Sequence, residues 1–122
     1  MAVPRIAITA GEPAGIGPDI LLMAAQRDWD VELVAIADPA MLQQRAHMLN
    51  LPIELQTLAP DNAPQPHRAG ALKIQPVPLA EPALAGALNP GNAPYVLETL
   101  RLAVAGCLDR TFAAMVTAPV QK

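Results

Sequence analysis

The stretch Gly11-Glu12-Pro13-Ala14-Gly15-Ile16-Gly17-Pro18-Asp19 restricts the fold more than any other part of this 122-residue sequence. It separates a strand-length apolar run, Arg5-Ile6-Ala7-Ile8-Thr9, from a helix-like run beginning Ile20-Leu21-Leu22-Met23-Ala24-Ala25. The order is strand, glycine loop, helix N-terminus. Glycines permit backbone angles closed to other residues and let a ligand approach the main chain without meeting a Cβ. Pro18 suits the first helical turn, and Asp19 complements the positive end of the helix dipole. The loop has two readings. Free N–H groups and the dipole converge on one spot and make a ready anion site; alternatively, the glycines serve only the geometry of a tight strand-to-helix turn. The spacing G-x-x-x-G-x-G is neither the dinucleotide fingerprint G-x-G-x-x-G nor a Walker A loop with its Gly-Lys-Ser/Thr.

The rest of the chain alternates strand and helix signals. A strand at about 4–9 and a helix at about 18–27 are followed by Val31-Glu32-Leu33-Val34-Ala35-Ile36-Ala37, a nearly continuous apolar run suited to a parallel strand buried on both faces. Asp38-Pro39 then opens a helix at about 39–49 as N-cap and first helical residue. Leu42, Ala46 and Leu49 share one face of it, with the stem of Arg45 beside them. Asp38 could also be the acid that binds ribose at the end of a Rossmann strand, but without the matching glycine spacing the cap is the better reading. Residues 51–57 form a third strand candidate.

Six prolines punctuate residues 60–82. They remove backbone donors, so neither a helix nor a central strand persists through the segment, which reads as a folded-back connector with room for one short strand at about 71–76. Asn92 is placed to cap a helix from about Pro94 to Leu108, whose inner face would carry Val96, Leu100, Ala103, Val104 and Cys107. Residues 111–117 follow as a buried-type strand that delivers Thr117 to the carboxyl edge of the sheet. This alternation predicts an α/β fold, a mostly parallel sheet with helices on both faces, in one domain spanning 1–122.

Composition narrows the function. The net charge is −3, the eight Lys and Arg residues are scattered, and aromatics are only 2 % of the chain, so a nucleic-acid surface with stacking rings is not expected. No apolar run approaches the ~18 residues of a membrane span, and no leader pattern opens the chain, so a cytoplasmic protein is expected. Cys107 is the single cysteine; it excludes an internal disulfide and, on an apolar helix face, reads as a packed thiol. His47 and His67 have no partners at metal-ligand spacing and read as surface histidines.

Taken together, "ITAGEPAGIGPDILLMAAQ", "VELVAIADPAMLQQRAHMLNLPI", "YVLETLRLAVAGCL" and "AAMVTAPVQK" resemble the N-terminal part of the 4-hydroxythreonine-4-phosphate dehydrogenase family of vitamin B6 biosynthesis. The glycine loop is also similar to the one that opens isocitrate and isopropylmalate dehydrogenases. The resemblance runs over essentially the whole chain but covers only about the first third of a family member. It implies an incomplete α/β domain of a homodimeric oxidoreductase that uses NAD or NADP and a divalent metal to oxidise and decarboxylate 4-phosphooxy-L-threonine, a small phosphorylated amino acid. The family's three metal histidines and its Gly-His-Thr motif fall beyond Lys122, so no catalytic residue or metal ligand is assigned here. What carries over is a lining of the substrate and cofactor cleft by Gly11, Glu12, Gly15, Gly17, Thr117 and Lys122. Gln121 stands where the family usually has His or Asn. Lys122 is either a cation near the substrate phosphate or a solvated chain end, while Glu12 is either a ligand to a hydroxyl or a cap on its own turn, the cap being the safer expectation. Because those residues fall downstream, the resemblance also implies a fragment that is inactive alone, and the strand exit without a closing cap or helix favours truncation over a self-sufficient module. The alternative is a stand-alone phosphate- or nucleotide-binding or assembly module without catalysis.

Overall fold

The computed structural model describes residues 3–79 and 90–118. Five strands form one sheet: β1 (Arg5–Thr9), β2 (Glu32–Ala37), β3 (Glu54–Thr57), β4 (Ala71–Pro76) and β5 (Ala114–Thr117), in the spatial order β3-β4-β2-β1-β5. Every neighbouring pair is parallel. Three α-helices connect them: α1 (Gly17–Ala24), α2 (Pro39–Met48) and α3 (Ala93–Leu108), the last preceded by a 3-10 turn at Pro90–Asn92. The parallel sheet with flanking helices is the architecture the alternating pattern predicts.

β2 explains why its sequence lacks alternation. All six of its residues are buried, because helices cover both faces. On one face Leu33, Ala35 and Ala37 pack with Leu21 and Leu22 of α1 and with Met41, Leu42 and Ala46 of α2. On the other, Val34 and Ile36 pack with Ala7 and with Tyr95, Val96 and Ala103 of α3, closed by Phe112. With so few rings in the chain, these two aliphatic layers supply most of the apolar burial.

Several elements differ from the sequence reading in instructive ways. β4 is an interior strand, paired with both β2 and β3, although it lies in the proline-rich segment. Its ladder fits the proline-free stretch between Pro66 and Pro76, and Pro76 takes only the last position, opposite Ala37. The inner face of α3 is rotated: Val96, Thr99, Ala103 and Gly106 are buried, whereas Val104 is exposed. Gly106 sets this rotation, because a Cβ there would meet the Phe112 ring at 2.2 Å. The helix therefore turns its smallest residue toward the ring. Cys107 lies at the border of that layer, packed against it and half-buried. Asn92 occupies the N-cap position of α3, but its side chain makes no capping bond. Finally, residues 111–117 do not form a buried strand. β5 is short, pairs among the described residues only with β1, and leaves Val116 54 % exposed.

Tyr95 ties the two layers together at the strand ends. Its ring is buried, and its hydroxyl oxygen accepts a hydrogen bond from the Asp38 backbone N–H at 3.0 Å. Burial pushes the phenol from 10.0 up to about 12, with the nearby Asp38 amide opposing and the Asp38 charge adding to the rise. The folded state thus holds the proton more tightly than the unfolded chain. Stability is complete below pH 10 and falls as pH climbs toward 12, by about 2–3 kcal/mol from this group. In urea titrations between pH 9 and pH 12, Tyr95→Phe should remove that share of the decline, at a cost of about 1 kcal/mol at neutral pH for the lost hydrogen bond.

Candidate functional site at the carboxyl edge of the sheet

Strand order locates the site. From β1 the chain moves to β2 on one side, and only after α3 does it return to place β5 on the other side of β1. α1, which follows β1, and α3, which precedes β5, cover opposite faces of the sheet, so the boundary between the carboxyl ends of β1 and β5 is the candidate for the kind of crevice in which open α/β sheets bind ligands. Register brings the two exits level, with Thr9 opposite Thr117 and the Ala118 N–H donating to the Thr9 carbonyl at 3.0 Å. The glycine loop leaves β1 at this point.

The loop is shaped by its own packing. Gly11 has φ 71°, the left-handed region that favours glycine. A Cβ on Gly17 would lie 1.8 Å from the Ala10 carbonyl oxygen and 2.9 Å from the Ala118 Cβ, so α1 can begin here only with glycine. At Gly15 a Cβ would sit 3.3 Å from the Glu12 carbonyl oxygen, whose bond from the Gly15 N–H is 2.9 Å long. Glu12 behaves as a cap: its Oε1 accepts from the Ala14 N–H at 3.4 Å, a long and weak bond. The glycines at 11 and 17 are thus required by the turn itself, and that requirement is compatible with an anion at the helix start. Pro18 stands at the first turn of α1 and Asp19 beside it, as their residue types foretell.

Arg45 is the important side chain that sequence reasoning missed. Its stem was expected to lie on an apolar helix face; instead the whole residue is buried, and its guanidinium grips the outer wall of the loop. Nη1 donates to the Gly15 carbonyl at 3.0 Å and to Asp19 Oδ1 at 2.7 Å, and Nη2 donates to the Pro13 carbonyl at 2.8 Å. A planar fork can hold three acceptors in fixed directions, which a lysine cannot. The only sequence signal was an arginine on an otherwise apolar stripe.

Other candidates resolve differently. Asp38 is a cap: Oδ1 accepts from the Met41 N–H at 2.9 Å and Oδ2 from the Leu79 N–H at 2.8 Å. Both oxygens are engaged by main chain, as the cap reading expects. Thr9 is fully buried at the end of β1, and its hydroxyl has no hydrogen-bond partner among the described residues. His67 is not on the surface. It is buried, its backbone pairs with Trp29 and Val31, and its Nε2 lies 2.9 Å from the Ala25 carbonyl. Because a carbonyl only accepts, Nε2 carries the hydrogen and is not a metal ligand. His47 is exposed on α2, and among the described residues no three His, Cys, Asp or Glu side chains gather as a metal site. Lys122 lies outside the described residues. Between α1 and β5 runs an apolar groove of about 250 Å³, with Ile8, Ile20, Val116 and Thr117 in its lining.

Replacing Arg45 with Met should leave Asp19 and two loop carbonyls without their partner. Asp19 keeps 27 % of its side chain exposed, so water compensates in part. The expected loss is about 2–3 kcal/mol, below the 3–5 of a fully buried pair, read from urea midpoints. Arg45→Lys should recover less than half of it.

Comparison with known proteins agrees with this architecture. The family model described as "Pyridoxal phosphate biosynthetic protein PdxA" matches residues 29–122. A 4-hydroxythreonine-4-phosphate dehydrogenase of Serratia proteamaculans is 55 % identical over 118 residues, covering 97 % of this chain and 36 % of the relative. One of Vibrio cholerae is 49 % identical over 122 residues, covering 100 % and 37 %. Among solved structures, a putative enzyme of the same name from Salmonella typhimurium superposes with a TM-score of 0.84 at 30 % identity, over 98 % of this chain and 39 % of that one. The Klebsiella pneumoniae enzyme gives 0.83 at 25 %, over 98 % and 38 %. The chain spans little more than a third of the length of these relatives, and no helix of the described residues is long and apolar enough to cross a membrane. The match over more than half of its length establishes that this chain belongs to the PdxA family of pyridoxal phosphate biosynthetic proteins.

Proposed function

We propose that the chain forms the amino-terminal part of an NAD- or NADP-linked 4-hydroxythreonine-4-phosphate dehydrogenase and contributes the floor of its substrate and cofactor cleft. The observation that carries this reading is the meeting of the glycine loop with Thr117 and Ala118 at the β1–β5 boundary, in a chain of this family. The loop would receive a phosphate-bearing group at the N–H groups of Gly17 and Asp19, which precede the first helical bond from Ile20 to Ile16, Pro18 having no N–H of its own. The orphan Thr9 hydroxyl at the same edge fits such a polar occupant. Gly11, Glu12, Gly15, Gly17 and Thr117 are the residues assigned to the lining, and Lys122 joins them by its place in the sequence.

The nicotinamide cofactor supplies the hydride acceptor when it is bound. This chain's own share is positional: Arg45 fixes the loop from behind, Gly17 lets α1 start close against β1, and β5 brings Thr117 alongside. Its described histidines do not fit a metal site, so no metal chemistry is assigned to it. The acid, base and metal ligands of the reaction belong to the part of the polypeptide that the relatives carry and this chain does not. The chain alone is therefore inactive, in a cytoplasmic enzyme that works as a homodimer. The open β5 edge and the apolar groove beside it are the surface on which the missing part of the sheet would pack.

The test is complementation. The 122-residue chain should give no NADH from 4-phosphooxy-L-threonine with NAD and divalent metal. Joined to the remaining two thirds of the Serratia proteamaculans enzyme, it should turn over at an ordinary enzymatic rate, on the order of 1 s⁻¹ or more. In that joined protein Gly17→Ala should lower kcat/KM at least about tenfold, since the Cβ must displace the start of α1. Turnover by the chain alone, or a well-folded joined protein without activity, would overturn the reading.

A further inference from the structure

At the edge of the sheet opposite the glycine loop, the chain builds a second polar site. Arg5 opens β1 and Glu32 opens β2, paired in register, and Arg5 Nε donates to Glu32 Oε1 at 2.6 Å in a pair whose side chains are about 5 % exposed. The other atoms of this pair are satisfied by the loop that follows β3. Arg5 Nη2 donates to the Asn62 carbonyl at 2.8 Å and Nη1 to the Pro60 carbonyl at 3.3 Å, while Glu32 Oε2 accepts from the Gln65 N–H at 2.8 Å. The proline-rich loop is thereby drawn over the strand ends. It leaves beneath it two adjoining cavities, of about 250 and 370 Å³, which share Glu32, Gln65 and Lys73 in their linings.

The charges of this space do not balance. Its lining carries three cations, Arg5, Arg68 and Lys73, and one carboxylate, Glu32, which Arg5 already neutralises. None of the ion pairs among the described residues includes Lys73 or Arg68. Lys73 is half-buried on β4, and its ammonium donates at 2.8 Å to Gln56 Oε1, a neutral acceptor on β3. Two ammonium hydrogens remain, and Gln56, with its oxygen occupied, keeps its amide hydrogens as donors. A partly desolvated cation without a counter-charge is costly, and an anion entering the space offsets that cost. We propose that this cavity binds the oxyanion group of a small molecule, a phosphate or a carboxylate, held by Lys73, Arg68 and the Gln56 amide. The site lies over β3 and β4, on the far side of β2 from β1 and its glycine loop, and does not depend on the dehydrogenase reading.

The test is a titration of the ¹⁵N-labelled chain with inorganic phosphate, and separately with succinate, each against sodium chloride of matched ionic strength. Saturable amide shifts should appear at residues 56, 65, 68 and 73, with a dissociation constant in roughly the millimolar range for so small a probe. The probe that saturates at lower concentration identifies the preferred head group. Lys73→Gln should weaken binding about tenfold, and Lys73→Arg should retain it. Arg68→Gln, a change on an exposed side chain that leaves the fold intact, should weaken binding about threefold. Shifts confined to residues 11–19, shifts that chloride reproduces, or binding unaltered in both charge-removing variants would overturn the proposal.

Discussion

The structure depends on one close approach: the start of α1 is pressed against the end of β1 so tightly that Gly17 has no room for a Cβ beside the Ala10 carbonyl. A helix begun further out would loosen the packing of Leu21 and Leu22 against the sheet, in the apolar layer shared with α2. The approach is held from the far side by Arg45, buried between α2 and the loop, which spends its donors on Pro13, Gly15 and Asp19. Burying an arginine without enough acceptors would be strongly unfavourable. Here each acceptor is fixed in place, so the same bonds that satisfy the guanidinium also set the shape of the loop.

From this constraint the site follows by topology. With α1 pinned, β2 lies to one side of β1, and the return of the chain through α3 puts β5 on the other. At the β1–β5 boundary the glycine loop and the strand exit meet, with Thr9 opposite Thr117 and Gly17 against Ala118. Among the described residues the same topology leaves β5 as an edge with an exposed valine and an apolar groove beside it. Exposed strand edges invite pairing, and this chain spans little more than a third of the length of its relatives.

Much of this was legible in the sequence, for physical reasons. The fold class could be read because β2 is apolar on both faces and because Pro18, Asp38 and Pro39 mark helix starts with residues suited to those positions. Asp38 could be separated from a ribose ligand by the absence of the partnering glycine spacing. Other features were hidden because they arise only from tertiary contact. Nothing near Arg45 in sequence announces that its acceptors lie some thirty residues upstream, in the glycine loop. His67 becomes buried because the loop carrying it folds back onto the end of α1, where Ala25 offers a carbonyl. The rotation of α3 follows from the Phe112 ring lying over Gly106, a contact that hydrophobic periodicity cannot register. The exposure of β5 was missed because apolar composition alone does not distinguish an interior strand from one that lies at the edge of the described sheet.

The central proposal, that the β5 edge is the surface on which the remaining part of the relatives' polypeptide packs, is tested most directly by amide hydrogen exchange at Ala114–Thr117. The chain alone and the chain joined to the remaining part of a relative should be compared under identical conditions. The account predicts that β5 amides not bonded to β1 exchange quickly in the isolated chain and slow by about a hundredfold or more in the joined protein, because local opening then requires breaking a second ladder. Equal exchange in the two forms would contradict it and place the seam elsewhere on the molecule.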